Sequence, residues 1–271
     1  MNRVILHIGM ERTGSSALQR YFARNRTVLR VMGVRYPQAE AAGVALEKHQ
    51  DLVDAIATSA RGELLWEHGS AAEVLASYVK RAERSANTVI SAEGLSAPDP
   101  VFAHTLAPLA QQFDVRVIVF LRRQDEWAVS SYRNAVNTGT VGGQSIVDWL
   151  ADPQTRARMD YRAILRFWEE AFGADAITVL RYPHDVPLVP AFLAAADLPK
   201  AAGVLPDAGL RVNESSSDTD LREAMARAGL PPVVPDLDQD QRDALLEDYA
   251  DGNAEIRRRY LSQRRTLFGV A

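Results

Sequence analysis

Val4-Ile-Leu-His-Ile8, followed at once by Gly9-Met-Glu-Arg-Thr-Gly14-Ser15-Ser16, is the stretch that decides the fold. A short, nearly continuous apolar run with β-branched residues reads as a buried strand. Beyond the glycines, Ala17, Leu18, Tyr21, Phe22, Val28 and Leu29 recur at helical spacing. Strand, glycine loop and helix open a parallel α/β sheet. The glycines have the G-x-x-x-x-G spacing of a phosphate-binding loop. Such a loop turns backbone N–H groups onto an anion, and the helix N-terminus adds a favourable field. The competing reading is an ordinary strand–helix connection whose glycines and hydroxyls serve turn and cap. A nucleoside triphosphatase sets a lysine after the second glycine and an acidic residue for Mg²⁺. Here Ser15 takes the lysine's place, and Arg12 is the loop's only cation.

Outward from this loop, strands and helices alternate. Gly33 to Pro37 is a short extended piece, and residues from about 40 to 85 read as helices, with breaks at Gly62 and His68-Gly69-Ser70. Asn87 to Ala92 is the next strand, and a helix follows to about Phe113. Val115 to Leu121 is the strongest strand and runs into an amphipathic helix around Trp127, Val129, Tyr132 and Val136. Thr138-Gly-Thr ends that helix. Tyr161 to Phe172 is helical, Ala176 to Leu180 a strand, and Val189 to Ala196 a short helix. Two polar helices are expected near 218–229 and 238–262, with residues 199–217 as a weak boundary. The fold class expected is α/β: a P-loop-like three-layer α/β/α domain with a central parallel sheet. It spans 1–271, with a helical insertion at about 40–85 and a helical extension at about 200–271.

Composition narrows the chemistry. The chain has 271 residues and no cysteine, which excludes disulfides, a thiol nucleophile and cysteine-ligated metal sites. With 31 Lys+Arg against 35 Asp+Glu, the net charge of −4 argues against a dedicated nucleic-acid binder. No run approaches the roughly 18–20 apolar residues of a spanning helix, and no signal-peptide pattern is legible, so a cytoplasmic chain is expected. The five histidines show no local metal-site spacing, so no metal is expected.

A second anion site is suggested by Leu121 to Tyr132. Arg122 stands where the strongest strand ends, the edge at which open α/β sheets bind ligands. Ser130 follows eight residues on, about two helical turns, so both can face one anion. These residues together resemble the sulfotransferases that use 3′-phosphoadenosine 5′-phosphosulfate (PAPS). Glu11-Arg12-Thr13-Gly14-Ser15-Ser16 is similar to their P-K-x-G-T loop, with Glu for Pro and Arg for Lys. Val117 to Leu121 with Arg122, Ser130 and Tyr132 is similar to their strand and R-x7-S motif. The likeness is greatest to bacterial members, through Val4 to Phe22, Gly33 to Pro37, Leu121 to Glu126 and Arg257 to Phe268. Their G-D-W-K segment is absent here, which leaves that side of the nucleotide to other residues.

The resemblance implies PAPS as donor, 3′,5′-adenosine bisphosphate (PAP) as product and in-line transfer without a metal. Arg12 would stabilise charge on the departing 5′-phosphate, held by the amides of residues 13–16 and the hydroxyls of Ser15 and Ser16. Arginine gives up a proton poorly; Golgi tyrosine sulfotransferases nevertheless carry it in this loop. Arg122 and Ser130 would hold the 3′-phosphate. Glu93, after the strand Asn87 to Ala92, is the first choice for the base that takes the acceptor proton. His49, in Lys48-His49-Gln50, resembles a histidine near the acceptor in the bacterial group, and His7 is the packed competitor. Arg258, within Arg257-Arg258-Arg259, and Arg264 and Arg265 are candidates for a cofactor phosphate. Arg211-Val-Asn213-Glu-Ser215 is a further loop that the likeness places near the site. Trp66, Trp127, Trp149 and Trp168 are expected to pack. The acceptor would be a small molecule or glycan hydroxyl, or an amine, with carbohydrate or glycolipid favoured by the bacterial likeness. A P-loop kinase and a non-catalytic nucleotide-fold binder are the alternatives. Mg²⁺ dependence separates the first of them, and Glu93 as a Walker-B-like acid would favour it.

Overall fold

A computed structural model describes residues 1–41, 44–63, 70–182, 187–199, 202, 205–206, 217–261 and 267–268. β1 (Arg3–His7) is buried from Val4 onward. α1 (Ser15–Arg24) buries Ala17, Leu18, Tyr21 and Phe22 on one face, as its periodicity predicts. After Asn25, α2 (Arg26–Val31) continues the chain to Gly33, whose φ of 79° makes the turn into β2 (Val34–Arg35).

The helical expectation for 40–85 holds in part. β3 (Ala39–Ala41) and β4 (Val44–Leu46) form an antiparallel pair with Glu40 opposite Ala45. Strands of three residues are too short for alternation to show, and Ala- and Leu-rich composition favours a helical reading. α3 (Gln50–Ala60) and α4 (Ala71–Ala82) follow, the second started by a Ser70–Glu73 capping box. β5 (Asn87–Ser91) leads through Ala92 into a 3₁₀ turn over Glu93–Ser96. α5 (Val101–Leu106) stops short of Phe113. Pro108 lacks the N–H of the α-helical ladder, and the chain goes on as a 3₁₀ turn over Ala107–Gln111.

β6 (Asp114–Arg122) is the longest strand among the described residues and runs into α6 (Gln124–Asn137), which ends at Thr138 and Gly139. α7 (Ile146–Ala151) and α8 (Pro153–Met159) are too short to show a period in the sequence. Their caps are legible instead: Ser145 accepts from Asp148 N–H, and Asp152 from Thr155 N–H. α9 (Tyr161–Phe172), β7 (Ile177–Tyr182), α10 (Leu188–Ala195) and α11 (Asp218–Arg227) fall close to expectation. The helix expected over 238–262 is two, α12 (Gln239–Asp248) and α13 (Ala250–Tyr260), separated at Tyr249.

The main sheet has five strands in the order β2-β5-β1-β6-β7, flanked by helices. β1 pairs in parallel with both neighbours, His7 standing beside Ser91 of β5 and Ile118 of β6. The loop after β1 and the turn after β5 therefore leave the same edge of the sheet, the edge where such sheets bind ligands. The architecture is α/β with a parallel central sheet, as expected.

The chain forms two compact units. The first joins Met1–Leu121 with Ala163–Val212, and the second joins Arg122–Arg162 with Asn213–Ala271. The first has the sheet and a core around Ile5, Leu18, Phe22, Val89, Phe120 and Phe192. The second has two helical cores, one around Trp127, Met159 and Leu245, the other around Tyr132, Val136 and Met225. The C-terminal helices thus share cores with α6 and its successors and do not form a separate appendage.

Candidate functional site

The loop after β1 is held in an uncommon backbone form. Arg12 has φ 63° and Gly14 has φ 84°, both left-handed. A side chain at such a φ costs on the order of 1 kcal/mol and persists where its surroundings enforce it. Two hydroxyls provide that enforcement from inside. Thr13 Oγ1 donates to Met10 O at 2.6 Å, and Ser15 Oγ donates to the same carbonyl at 3.2 Å. Both residues are buried. The expectation that the Ser15 hydroxyl holds a phosphate is therefore corrected: it braces the loop. Ser16 is half-buried at the start of α1, whose first turn closes with Ala17 N–H donating to Gly14 O at 2.9 Å. At Gly14 the left-handed φ disfavours a side chain, and a Cβ there would stand close, 3.0 Å from Leu188 Cδ2 and 3.5 Å from Tyr182 Cε2.

His7 lies beneath the loop, fully buried, its ring edge-on to Phe120 and Phe192. Its Nδ1 is 2.7 Å from Ser91 Oγ, which also accepts from Gln19 Nε2 at 3.2 Å. Burial lowers its pKa to about 3, so the ring is neutral at pH 7. Among the described residues its Nε2 has no hydrogen-bond partner, so there the ring is packed but only half satisfied.

His49 does not meet the catalytic expectation. It is fully buried, with Tyr36 and Tyr78 edge-on to its ring. Its Nδ1 accepts from Ser91 N–H at 2.8 Å, and its Nε2 stands 2.9 Å from Pro37 O, placed to donate. Both ring nitrogens are used by backbone, so no lone pair is left for an acceptor proton. Burial lowers its pKa to about 4. His49 ties β5 to the segment after β2, and the likeness that singled it out marked a structural residue.

Glu93 lies within electrostatic reach of Arg12. It opens the 3₁₀ turn after β5 with its side chain 22% exposed, and Lys48 Nζ is 4.0 Å from its Oε2. Burial raises its pKa, Lys48 opposes that, Glu11 adds to it and Arg12 opposes it. A carboxyl made more basic at a sheet edge, beside a phosphate-type loop, is a better proton acceptor than a free carboxylate. Ser96 Oγ lies 3.3 Å from Gly9 O and 2.8 Å from Glu93 O, linking turn to loop.

No family model matches the chain, and no curated protein does. A solved structure shows the fold. It is a sulfotransferase from Alicyclobacillus acidocaldarius, similar at 15% identity over 96% of this chain and 97% of its own, with a TM-score of 0.52. The likeness extends over nearly the whole of both chains, and what it shows is the fold.

In the second unit, Arg122 ends β6, with Nε 3.5 Å from Glu126 Oε2 and its carbonyl accepting from Tyr161 OH at 2.8 Å. Ser130 is half-buried on α6. Arg123 is taken by structure: it donates to both oxygens of the buried Asp125 at 2.6 and 2.8 Å, and Arg242 donates to the same carboxylate at 2.8 Å. Tyr132 is buried and donates to Gln144 O, so it packs. Arg258 is exposed in the last turn of α13. Trp127 and Trp168 are buried, and Trp149 stacks on Trp127. Trp66, Arg211 to Ser215, Arg264 and Arg265 lie outside the described residues.

Among the described residues no group of three or more His, Asp or Glu side chains could hold a metal ion, and no helix is long and apolar enough to cross a membrane. Sequence reasoning passed over Lys48 and Asp125. Lys48 stood beside a histidine that drew the attention. Asp125 looked like an ordinary first-turn acid of α6, and its two arginine partners became visible only with the fold.

Proposed function

We propose that the chain is a PAPS-dependent sulfotransferase, transferring a sulfuryl group to a hydroxyl or amine. The observation that carries this function is a lysine-free phosphate loop with a half-buried carboxyl, Glu93, acting on the loop's Arg12. The solved neighbour's own description, a sulfotransferase of the same fold, supports it. So does the R-x7-S spacing of Arg122 and Ser130, a site for a 3′-phosphate that ATP does not require.

The loop fits a phosphate group. Gly9 admits no side chain, the backbone is left-handed at Arg12 and Gly14, and the N-terminus of a ten-residue helix follows. PAPS, when bound, supplies a sulfuryl group on a phosphate leaving group. The amides of residues 13–16 would orient that phosphate, and Arg12 would neutralise the charge left on it. Arginine stays protonated, so it stabilises charge and does not give up the proton. Glu93 would accept the acceptor's proton as the new S–O bond forms. Arg122 and Ser130 would recognise the 3′-phosphate, and Arg258 would add charge there. The bacterial likeness favours a carbohydrate or glycolipid hydroxyl as acceptor.

Nucleotide-selective melting tests this function. PAP should raise the melting temperature far more than AMP or ATP, with or without EDTA. Equal shifts for the three nucleotides would refute it. A shift with ATP that requires Mg²⁺ would favour a kinase, and no shift at all a non-nucleotide role for the fold.

A further inference from the structure

Lys48 lies between β4 and α3 with its side chain 42% exposed and Nζ 4.0 Å from Glu93 Oε2. Its position is fixed by its neighbour. His49 N–H donates to Ser91 O at 3.0 Å, and the His49 ring accepts from Ser91 N–H at 2.8 Å. Ser91 is the last residue of β5, and Glu93 follows two residues later. Cation and carboxylate are thus carried by two segments bound together at one point of the sheet edge.

The charged groups acting on Glu93 are Lys48 from the β4–α3 connection and Glu11 and Arg12 from the phosphate loop. Burial and Glu11 favour the neutral acid, while Lys48 and Arg12 favour the carboxylate. An anion in the loop offsets the charge of Arg12 and adds negative charge near Glu93. Of these groups, Lys48 is then the one left to hold Glu93 ionised.

We propose that Lys48 is a positioning residue for Glu93, pairing with the carboxylate so that it meets the acceptor ionised while the donor fills the loop. This rests on the assignment of Glu93 as base. In the step concerned, the acceptor oxygen bonds to sulfur and the bond from sulfur to the 5′-phosphate oxygen breaks. PAP leaves with that electron pair, and the acceptor proton goes to Glu93.

The test uses the full chain saturated with PAP and labelled with ¹³C at glutamate carboxyls. The Glu93 signal is identified by its loss in Glu93→Gln. In Lys48→Met the titration midpoint of Glu93 should move upward, and in Lys48→Arg it should return toward wild type. The acid limb of PAPS cleavage by water, followed as released inorganic sulfate, should move with it. That predicts a loss of about threefold to tenfold on the acid limb and little loss on the alkaline plateau. Lys48 is partly exposed, so the melting temperature should stay near wild type. An unchanged midpoint in Lys48→Met overturns the pairing whatever Glu93→Gln does. A moved midpoint supports the pairing. Sulfate release that survives Glu93→Gln would overturn Glu93 as base, and with it the catalytic purpose given to Lys48.

Discussion

Replacing Gly9 by alanine probes the phosphate loop at its tightest point. The new Cβ would fall onto Ser15 Oγ and stand 2.9 Å from His7 Cε1 and 3.1 Å from Ser15 Cβ, where ordinary contact begins near 3.4 Å. Neither neighbour yields easily. His7 is fully buried between two phenylalanine rings and bound to Ser91, and Ser15 opens α1 with its hydroxyl on Met10 O. Overpacking of this kind costs about 1–3 kcal/mol. In a chain of this size that is a fall of about 3–10 °C in melting temperature. The strain lies under the amides proposed to hold the donor's phosphate, so PAP should also bind about tenfold more weakly, the worth of one well-made hydrogen bond. Ser15→Ala provides the internal control. It removes one of the three contacts, so the double variant should be less destabilised than the sum of the singles by about 0.5–1.5 kcal/mol. Melting curves and PAP titrations of wild type, both singles and the double supply every quantity. A Gly9→Ala protein that melts and binds as wild type, or a strictly additive double, would refute the packing described for this loop.

Other variants test the remaining parts of the structure. Asp125→Asn should destabilise the second unit by about 1–3 kcal/mol, because Arg123 and Arg242 lose a buried partner; chemical denaturation measures it. Burial pushes the Asp125 carboxyl up, but the hydrogen bonds from Arg123 and Arg242 outweigh it and hold the group below 3.8. Its share of stability is therefore present above pH 3.8 and lost as pH falls through the folded value, and Asp125→Asn should flatten that acid loss. His7 and His49 are depressed from 6.5 to about 3 and about 4, so their shares are complete above pH 6.5 and decline as pH falls toward those values. Each should contribute a slope of about 1.4 kcal/mol per pH unit, and His49→Gln should remove one of them. Arg122→Ala should erode the preference for PAP over AMP; an unchanged titration would remove it from the 3′-phosphate site.

The fold was legible because the stretch from Val4 to Phe22 obeys two periods in succession, and β6 announces itself by length and apolarity. The β3–β4 pair and the helices α7 and α8 were not, because three to seven residues carry too little pattern to set against composition. At the site, Arg12, Gly14 and Glu93 were legible as residues at the ends of strands. The failures share one cause. The sequence shows which groups are polar but not which are already satisfied. Ser15 and His49 have suitable chemistry, yet their polar atoms are engaged by Met10, Pro37 and Ser91.

That satisfaction also changes what the net charge of −4 means. A tally of arginines suggests a basic site in an acidic chain, but many of the cations are matched within the fold. Arg3 lies against Asp114, Arg20 against Glu47, Arg123 against Asp125 and Arg156 against Asp248. Salt screens what remains beyond roughly 8 Å. Selection of a polyanionic nucleotide then depends on groups in contact with it, and the backbone amides of the loop are the ones that carboxylates elsewhere cannot neutralise. On the proposed function, the two buried hydroxyls and the left-handed Arg12 hold those amides in place. Every negative charge the loop admits raises the proton affinity of Glu93 nearby. On the proposed function, a loop that binds anions well would thus disable Glu93 as base unless a cation outside the loop compensates, and Lys48 Nζ stands 4.0 Å from that carboxylate.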